Sequence, residues 1–113
     1  MPREWRIRIA DMLDCIAAIR SYTRGLDFAA FADNRMLREA VERNFITIGE
    51  AARHVPADIC ERHAEIPWAD LRGMRHAMVH EYPGVNLRIV WDTIRDDLPP
   101  LVEQLERLLE SER

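Results

Sequence analysis

The sequence predicts an all-α protein, an antiparallel bundle of four to five helices forming one domain over residues 1–113. Two observations point there. Apolar residues recur at spacings of three and four along most of the chain, and no segment sustains the period-two alternation of a half-buried strand. The composition agrees: 48% apolar, 32% charged, four glycines and no low-complexity tract mark a folded chain rather than a disordered one. A length of 113 residues suits one core and one site region, not a catalytic domain with a separate regulatory one.

Taken in order, the stretch from Arg3 to about Tyr22 places Trp5, Ile9, Met12, Leu13, Ile16 and Ile19 on one helical face, and Arg24-Gly25 ends it. From Leu26 to Ala32 the sequence allows either a short helical turn or a loop that sends Phe28 and Phe31 into the core. Asp33 or Asn34 then caps a second helix, since a short side-chain acceptor satisfies an orphan backbone N–H. That helix carries Leu37, Ala40, Val41, Phe45, Ile48, Ala51 and Ala52 and runs to about Val55, where Pro56 stops it. Gly49 in its middle costs about 1 kcal/mol against alanine, which close packing by another helix would explain. Pro56 to Glu65 reads as a short helical excursion in which His63, like His54, is expected to be a solvated residue.

Pro67 opens a third helix with Asp70 in its first turn, where negative charge complements the helix dipole. Leu71, Met74, Ala77 and Met78 form its buried stripe, leaving Arg72, Arg75, His76, Val79 and His80 on the remaining surface. After the turn-forming pair Pro83-Gly84, Asn86 caps a fourth helix with Leu87, Val90, Trp91 and Ile94. It is expected to break at Pro99-Pro100 before continuing through Leu101, Leu105 and Leu108. Trp68 and Trp91 fall on or beside apolar stripes and read as core rather than as base-stacking platforms.

Composition also excludes several functions. Cys15 and Cys60 lie far apart with no CxxC spacing, which suggests neither a disulfide framework nor a zinc ribbon and fits a reducing cytosol. No run approaches the roughly 20 apolar residues that cross a bilayer, and the residues around Trp5 lack the apolar core of a signal peptide, so a cytoplasmic protein with no membrane contact is expected. A net charge of −4 argues against broad, sequence-independent adhesion to nucleic acid. All sixteen basic residues are arginine, which suits bidentate phosphate recognition but is better explained by a codon or compositional bias of the source.

Chemistry-bearing residues concentrate between Trp68 and Trp91. Arg72, Arg75, His76, His80 and Tyr82 fall within about ten residues, in the last turns of a helix and at its exit. Taken alone, Arg75 and His80 are ordinary helix-end residues, His80 lying where a cation is favoured anyway. The completed pattern Arg75-x4-His80-x-Tyr82 resembles the signature of HEPN-domain ribonucleases, in particular the HepT-like toxins paired with minimal nucleotidyltransferase antitoxins. Ile66-Pro67-Trp68, Gly73-Met74, the Val85-Asn86-Leu87 run to Trp91, Ala40-Val41-Glu42-Arg43 and Ile48-Gly49-Glu50-Ala51 are similar to that family too, covering about the central half of the chain.

The resemblance implies a metal-independent endoribonuclease toxin that acts as a homodimer on RNA without a cofactor. Arg75 and His80 would be catalytic, and Tyr82 would be where a partner nucleotidyltransferase attaches AMP to silence the toxin. Such chemistry needs a base for the ribose 2′-OH, an acid for the leaving oxygen and positive charge for the phosphorane; histidine and arginine supply these. Yet five residues apart on an ideal helix, Arg75 and His80 differ by about 140° in direction and roughly 7.5 Å along the axis. Either the helix loosens before His80, or two chains meeting about a twofold axis assemble the site, the arrangement that the family likeness favours.

His76 shares a face with His80. It orients His80 or contacts phosphate, forms a His-x3-His metal site, or is simply a surface residue; no third ligand falls at a known spacing for the metal reading. Arg72 and Arg88 flank the site and are candidates to hold RNA backbone, although ion pairs with Asp70, Glu81 or Asp92 explain them equally well. A rival to the enzyme is a non-catalytic helical module that docks on a nucleotidyltransferase, which the −4 charge suits slightly better.

Overall fold

A computed structural model describes residues 4–80 and 86–112, with the side chains of Val79 and His80 outside the described set. Its helices are α1 (Glu4–Thr23), α2 (Phe28–Asp33), α3 (Arg35–Arg53), α4 (Ala57–Arg62), α5 (Trp68–His80), α6 (Leu87–Asp92) and α7 (Leu98–Ser111). There is no strand among the described residues, and the fold is the expected all-α bundle. Four long helical rods carry it: α1, α3, α5, and the continuous run of α6 and α7.

Local chemistry sets the element boundaries. Gly25 leaves α1 with a φ of 77°, a left-handed conformation that glycine adopts without strain. The Leu26–Ala32 stretch resolves into α2, because the Asp27 side chain accepts from the Ala30 N–H at 2.9 Å and starts a helix there. Phe31 is buried and stacks at 5.3 Å on Trp91, while Phe28 is half-buried. Of the two candidate caps for α3, Asn34 serves, accepting from the Leu37 N–H at 3.0 Å. Asn86 caps α6 in the same way, through the Arg88 and Ile89 N–H groups.

The expected break at Pro99-Pro100 does not occur. A π-helical turn, Thr93–Asp97, joins α6 to α7, with the Leu98 N–H reaching back to the Thr93 carbonyl. The two prolines stand in the first turn of α7, where a missing N–H costs least, and the wider turn before them is largely exposed. The apolar stripe therefore passes without interruption from Val90, Trp91 and Ile94 to Leu98, Leu101, Leu105 and Leu108, all buried.

Helix α3 is central, packing against α1 on one side and α5 on the other. Its Val41, Phe45, Ile48 and Ala52 join Ile9, Met12, Ile16 and Ile19 of α1 and Leu71 and Met78 of α5 in one core. Trp68 and Trp91 are both in that core, as expected.

His63 is not the solvated residue that its charged surroundings in sequence suggest. It is largely buried, its Nε2 stands 2.8 Å from Glu112 Oε2, and its carbonyl accepts from Trp68 Nε1 at 3.0 Å. Arg62 closes the cluster with a fork, Nε to Glu112 Oε2 at 3.0 Å and Nη2 to Oε1 at 2.9 Å. Arg6 of α1 donates to the carbonyls of Leu109 and Glu112. These contacts tie the end of α7 to both α1 and the connection that aims α5, a long-range pairing invisible to local sequence reading.

The bonds from Arg62 first, and from His63 second, hold the Glu112 carboxyl at about 2, below its ordinary value of 4.5. A depressed carboxyl contributes stability above its unfolded-state value and loses it as pH falls towards the folded one. Thermal unfolding followed by circular dichroism should therefore find Glu112→Gln less stable than wild type at pH 7. That difference should shrink between pH 4.5 and about 2, and a difference unchanged by pH would remove the ionised Glu112 from the account.

Candidate functional site

The site is built where α5 crosses α3 at Gly49. A Cβ on Gly49 would stand 2.5 Å from the Arg75 Cβ, 2.8 Å from the Leu71 carbonyl oxygen and 2.9 Å from the Arg75 backbone nitrogen. Only glycine lets the α5 backbone lie that close, which is the close packing expected from a glycine in mid-helix. The contact falls on Arg75 itself, so the side chain leaves α5 from a fixed, crowded point.

Arg75 is consequently not on the open surface, where its place outside the apolar stripe would put it. Its side chain is 34% exposed, with Nε buried and 3.1 Å from Glu50 Oε1. This is ion-pair distance, but the N–H is not aligned for a hydrogen bond to that oxygen. Glu50 meanwhile accepts from Arg53 Nη1 at 3.1 Å. One carboxylate thus serves two arginines from two helices.

Glu50 and Arg53 are the residues that reading the motif misses. The signal is present in part: an acid next to a glycine at a helix crossing must meet something on the other helix, and Arg75 is the candidate cation there.

The other expected residues are distributed differently. His76 is exposed on α5. Arg72 is exposed and lies towards α4, where burial pushes the Cys60 thiol up and the charge of Arg72 draws it only partly back. Arg88 lies 3.4 Å from Asp92 Oδ1 and 4.9 Å over the Phe28 ring. Neither Arg72 nor Arg88 joins the Glu50 cluster. His80 closes α5, its side chain outside the described residues, and Tyr82 lies outside them altogether. Helix α5 remains α-helical through His80, so no loosening of the backbone swings His80 round to Arg75 within one chain.

The model of the family described as Ribonuclease HepT-like matches residues 12–108, nearly the whole chain and both helices of this crossing. The chain belongs to the HepT-like ribonuclease family. A Thermococcus cleftensis protein named as a probable ribonuclease HepT is 34% identical over 108 residues, 96% of this chain and 98% of its own. A Caldanaerobacter subterraneus protein named as a candidate RNase is 38% identical over 90 residues, 80% of either chain. Another so named, from Methanocaldococcus jannaschii, is 32% identical over 109 residues, 96% of this chain and 94% of its own. No solved structure gives a significant match.

Among the described residues no group of three or more His, Cys, Asp or Glu is placed to hold a metal ion, and no helix is long and apolar enough to cross a membrane. As a HepT-like chain it carries its distinctive polar residues at one helix crossing and at the end of α5.

Two glycines of these helices should behave oppositely. Gly49→Ala forces α3 and α5 apart, and overpacking of this kind costs about 1–3 kcal/mol. Gly73, also on α5, has open space around it, with nothing within 4 Å of where a Cβ would stand. Gly73→Ala should therefore gain up to about 1 kcal/mol from helix propensity. Urea unfolding of the two variants reads the signs directly; a neutral Gly49→Ala would contradict the tight crossing.

Proposed function

We propose that this HepT-like protein is a metal-independent endoribonuclease toxin, acting as one HEPN-like domain over residues 1–113 in a homodimer. What carries the reading is Arg75: a family-motif arginine, half-buried at a helix crossing, with one nitrogen against Glu50 and the others left to meet a phosphate. The family match and the relatives named as RNases support the ribonuclease activity.

The chemistry follows from the residue types. A histidine takes the proton of a ribose 2′-OH, the freed oxygen attacks the adjacent phosphorus, and a phosphorane forms under the forked charge of Arg75. The P–O5′ bond then breaks, the leaving oxygen takes a proton from an acid, and the strand ends in a 2′,3′-cyclic phosphate. No water or metal enters that balance. His80 supplies base and acid, and His76, four residues earlier on the same face, orients it or touches phosphate.

Five residues apart along an ideal helix, Arg75 and His80 differ by about 140° in direction, and α5 runs α-helical through both positions. Two copies about a twofold axis, with both Arg75/His80 pairs lining one cleft, resolve that spacing. Tyr82 follows two residues past His80 in the motif. AMP attached there by a partner nucleotidyltransferase adds a bulky anion that repels substrate phosphate, which makes that enzyme the antitoxin. A cytoplasmic site of action accords with an RNA target.

A single assay decides between this and the non-catalytic docking module: cleavage of a fluorescent single-stranded RNA in excess EDTA by protein shown by mass to carry no AMP. Wild type should cut and leave 2′,3′-cyclic phosphate ends. His80→Ala should lose about 10²–10⁴-fold in rate, the range of one general acid–base group, and Arg75→Ala a comparable amount, both keeping the helical circular dichroism of wild type. Absence of cleavage by the wild type would transfer the case to the docking module.

A further inference from the structure

Of the two arginines expected to hold RNA beside the motif, Arg72 lies towards α4 and Arg88 is engaged with Asp92 and Phe28. Arg53, which the motif does not include, shares a carboxylate oxygen with Arg75. Glu50 Oε1 is 3.1 Å from Arg53 Nη1 and 3.1 Å from Arg75 Nε, so those two nitrogens are no farther apart than twice that distance. The two guanidinium groups therefore lie close enough to meet one stretch of RNA backbone.

Among the described residues each guanidinium commits one nitrogen to Glu50, and the other donors of both make no further ion pair or hydrogen bond. The Arg53 side chain is 52% exposed and that of Arg75 34%, so both can be reached from solvent. Two positive charges so close repel one another; the carboxylate between them removes that repulsion and leaves the cluster one charge positive. It also restricts two long side chains before any ligand arrives, which lowers the ordering cost of binding.

We propose that Arg53 is a second phosphate-binding residue of the Arg75 site, and that Glu50 is the positioning residue that holds the two guanidinium groups side by side. The ligand is the backbone of single-stranded RNA, Arg53 gripping a phosphate next to the one that Arg75 serves. This rests on the ribonuclease reading above.

The test uses full-length, unmodified His80→Ala protein, which binds without cutting, and a fluorescein-labelled single-stranded RNA followed by anisotropy at several salt concentrations. Adding Arg53→Gln should weaken binding about tenfold, the effect of one charge-assisted contact, and should flatten the slope of log K against log salt by about 0.7. Arg107→Gln, an exposed arginine of α7, is the control and should change neither. An Arg53→Gln protein indistinguishable from that control overturns the proposal while leaving the ribonuclease reading intact. A His80→Ala protein that binds no RNA overturns both.

Positioning by Glu50 has its own readout in single-turnover cleavage at saturating RNA. Glu50→Ala should slow the rate about tenfold without weakening RNA affinity, since it removes a negative charge from the site. Glu50→Gln, whose amide oxygen can still accept from Arg53 and stand beside the Arg75 Nε edge, should recover most of that rate. Equal losses in the two variants would overturn the positioning role.

Discussion

The structure depends on one crossing, where the backbone of α5 lies against Gly49 of α3. It joins the two helices that bear the polar residues of the site, and it does so through main-chain contact, the least adjustable contact a helix pair can make. A side-chain interface yields by changing rotamers, whereas here the Leu71 carbonyl and the Arg75 Cβ would meet a Cβ directly. The direction in which Arg75 leaves its helix is therefore a property of the fold rather than of the side chain.

The remaining architecture serves to hold α5 at that angle. At its start, Trp68 is buried and bonded to the His63 carbonyl. His63 is in turn fixed by Glu112, which Arg62 grips with a fork and whose carbonyl Arg6 also reaches. The end of α7, the start of α1 and the connection before α5 thus converge on one ion-paired knot. Surface ion pairs contribute little singly, but a forked arginine on a shared, part-buried carboxylate restrains several segments at once.

Much of this is legible from the chain itself. The long helices follow from apolar spacing, the caps from Asn34 and Asn86, and the close approach at Gly49 from the cost of glycine in mid-helix. The points where sequence and structure part share a physical cause. His63 reads as solvated because its partner, Glu112, lies 49 residues away. Pro99-Pro100 reads as a break because a π turn has no local signature that single residues announce. The Arg75–Glu50 pair escapes the sequence because helical periodicity assigns a residue to a face without saying which neighbour that face meets.

In the ribonuclease proposed above, the crossing sets how ready Arg75 is to meet developing charge. An arginine on an exposed helix end samples many rotamers, and each must be frozen before it can meet a transition state. Arg75 begins with its Cβ wedged against Gly49 and its Nε beside Glu50, so most of that freedom is already gone in the resting protein. Electrostatic stabilisation is most effective when the donors need not reorganise as charge develops. A side chain clamped at both its root and its Nε edge, with its remaining donors still reachable, meets that requirement, and the clamp comes entirely from α3. On this view the helix that carries no motif residue contributes to the site as much as the one that does.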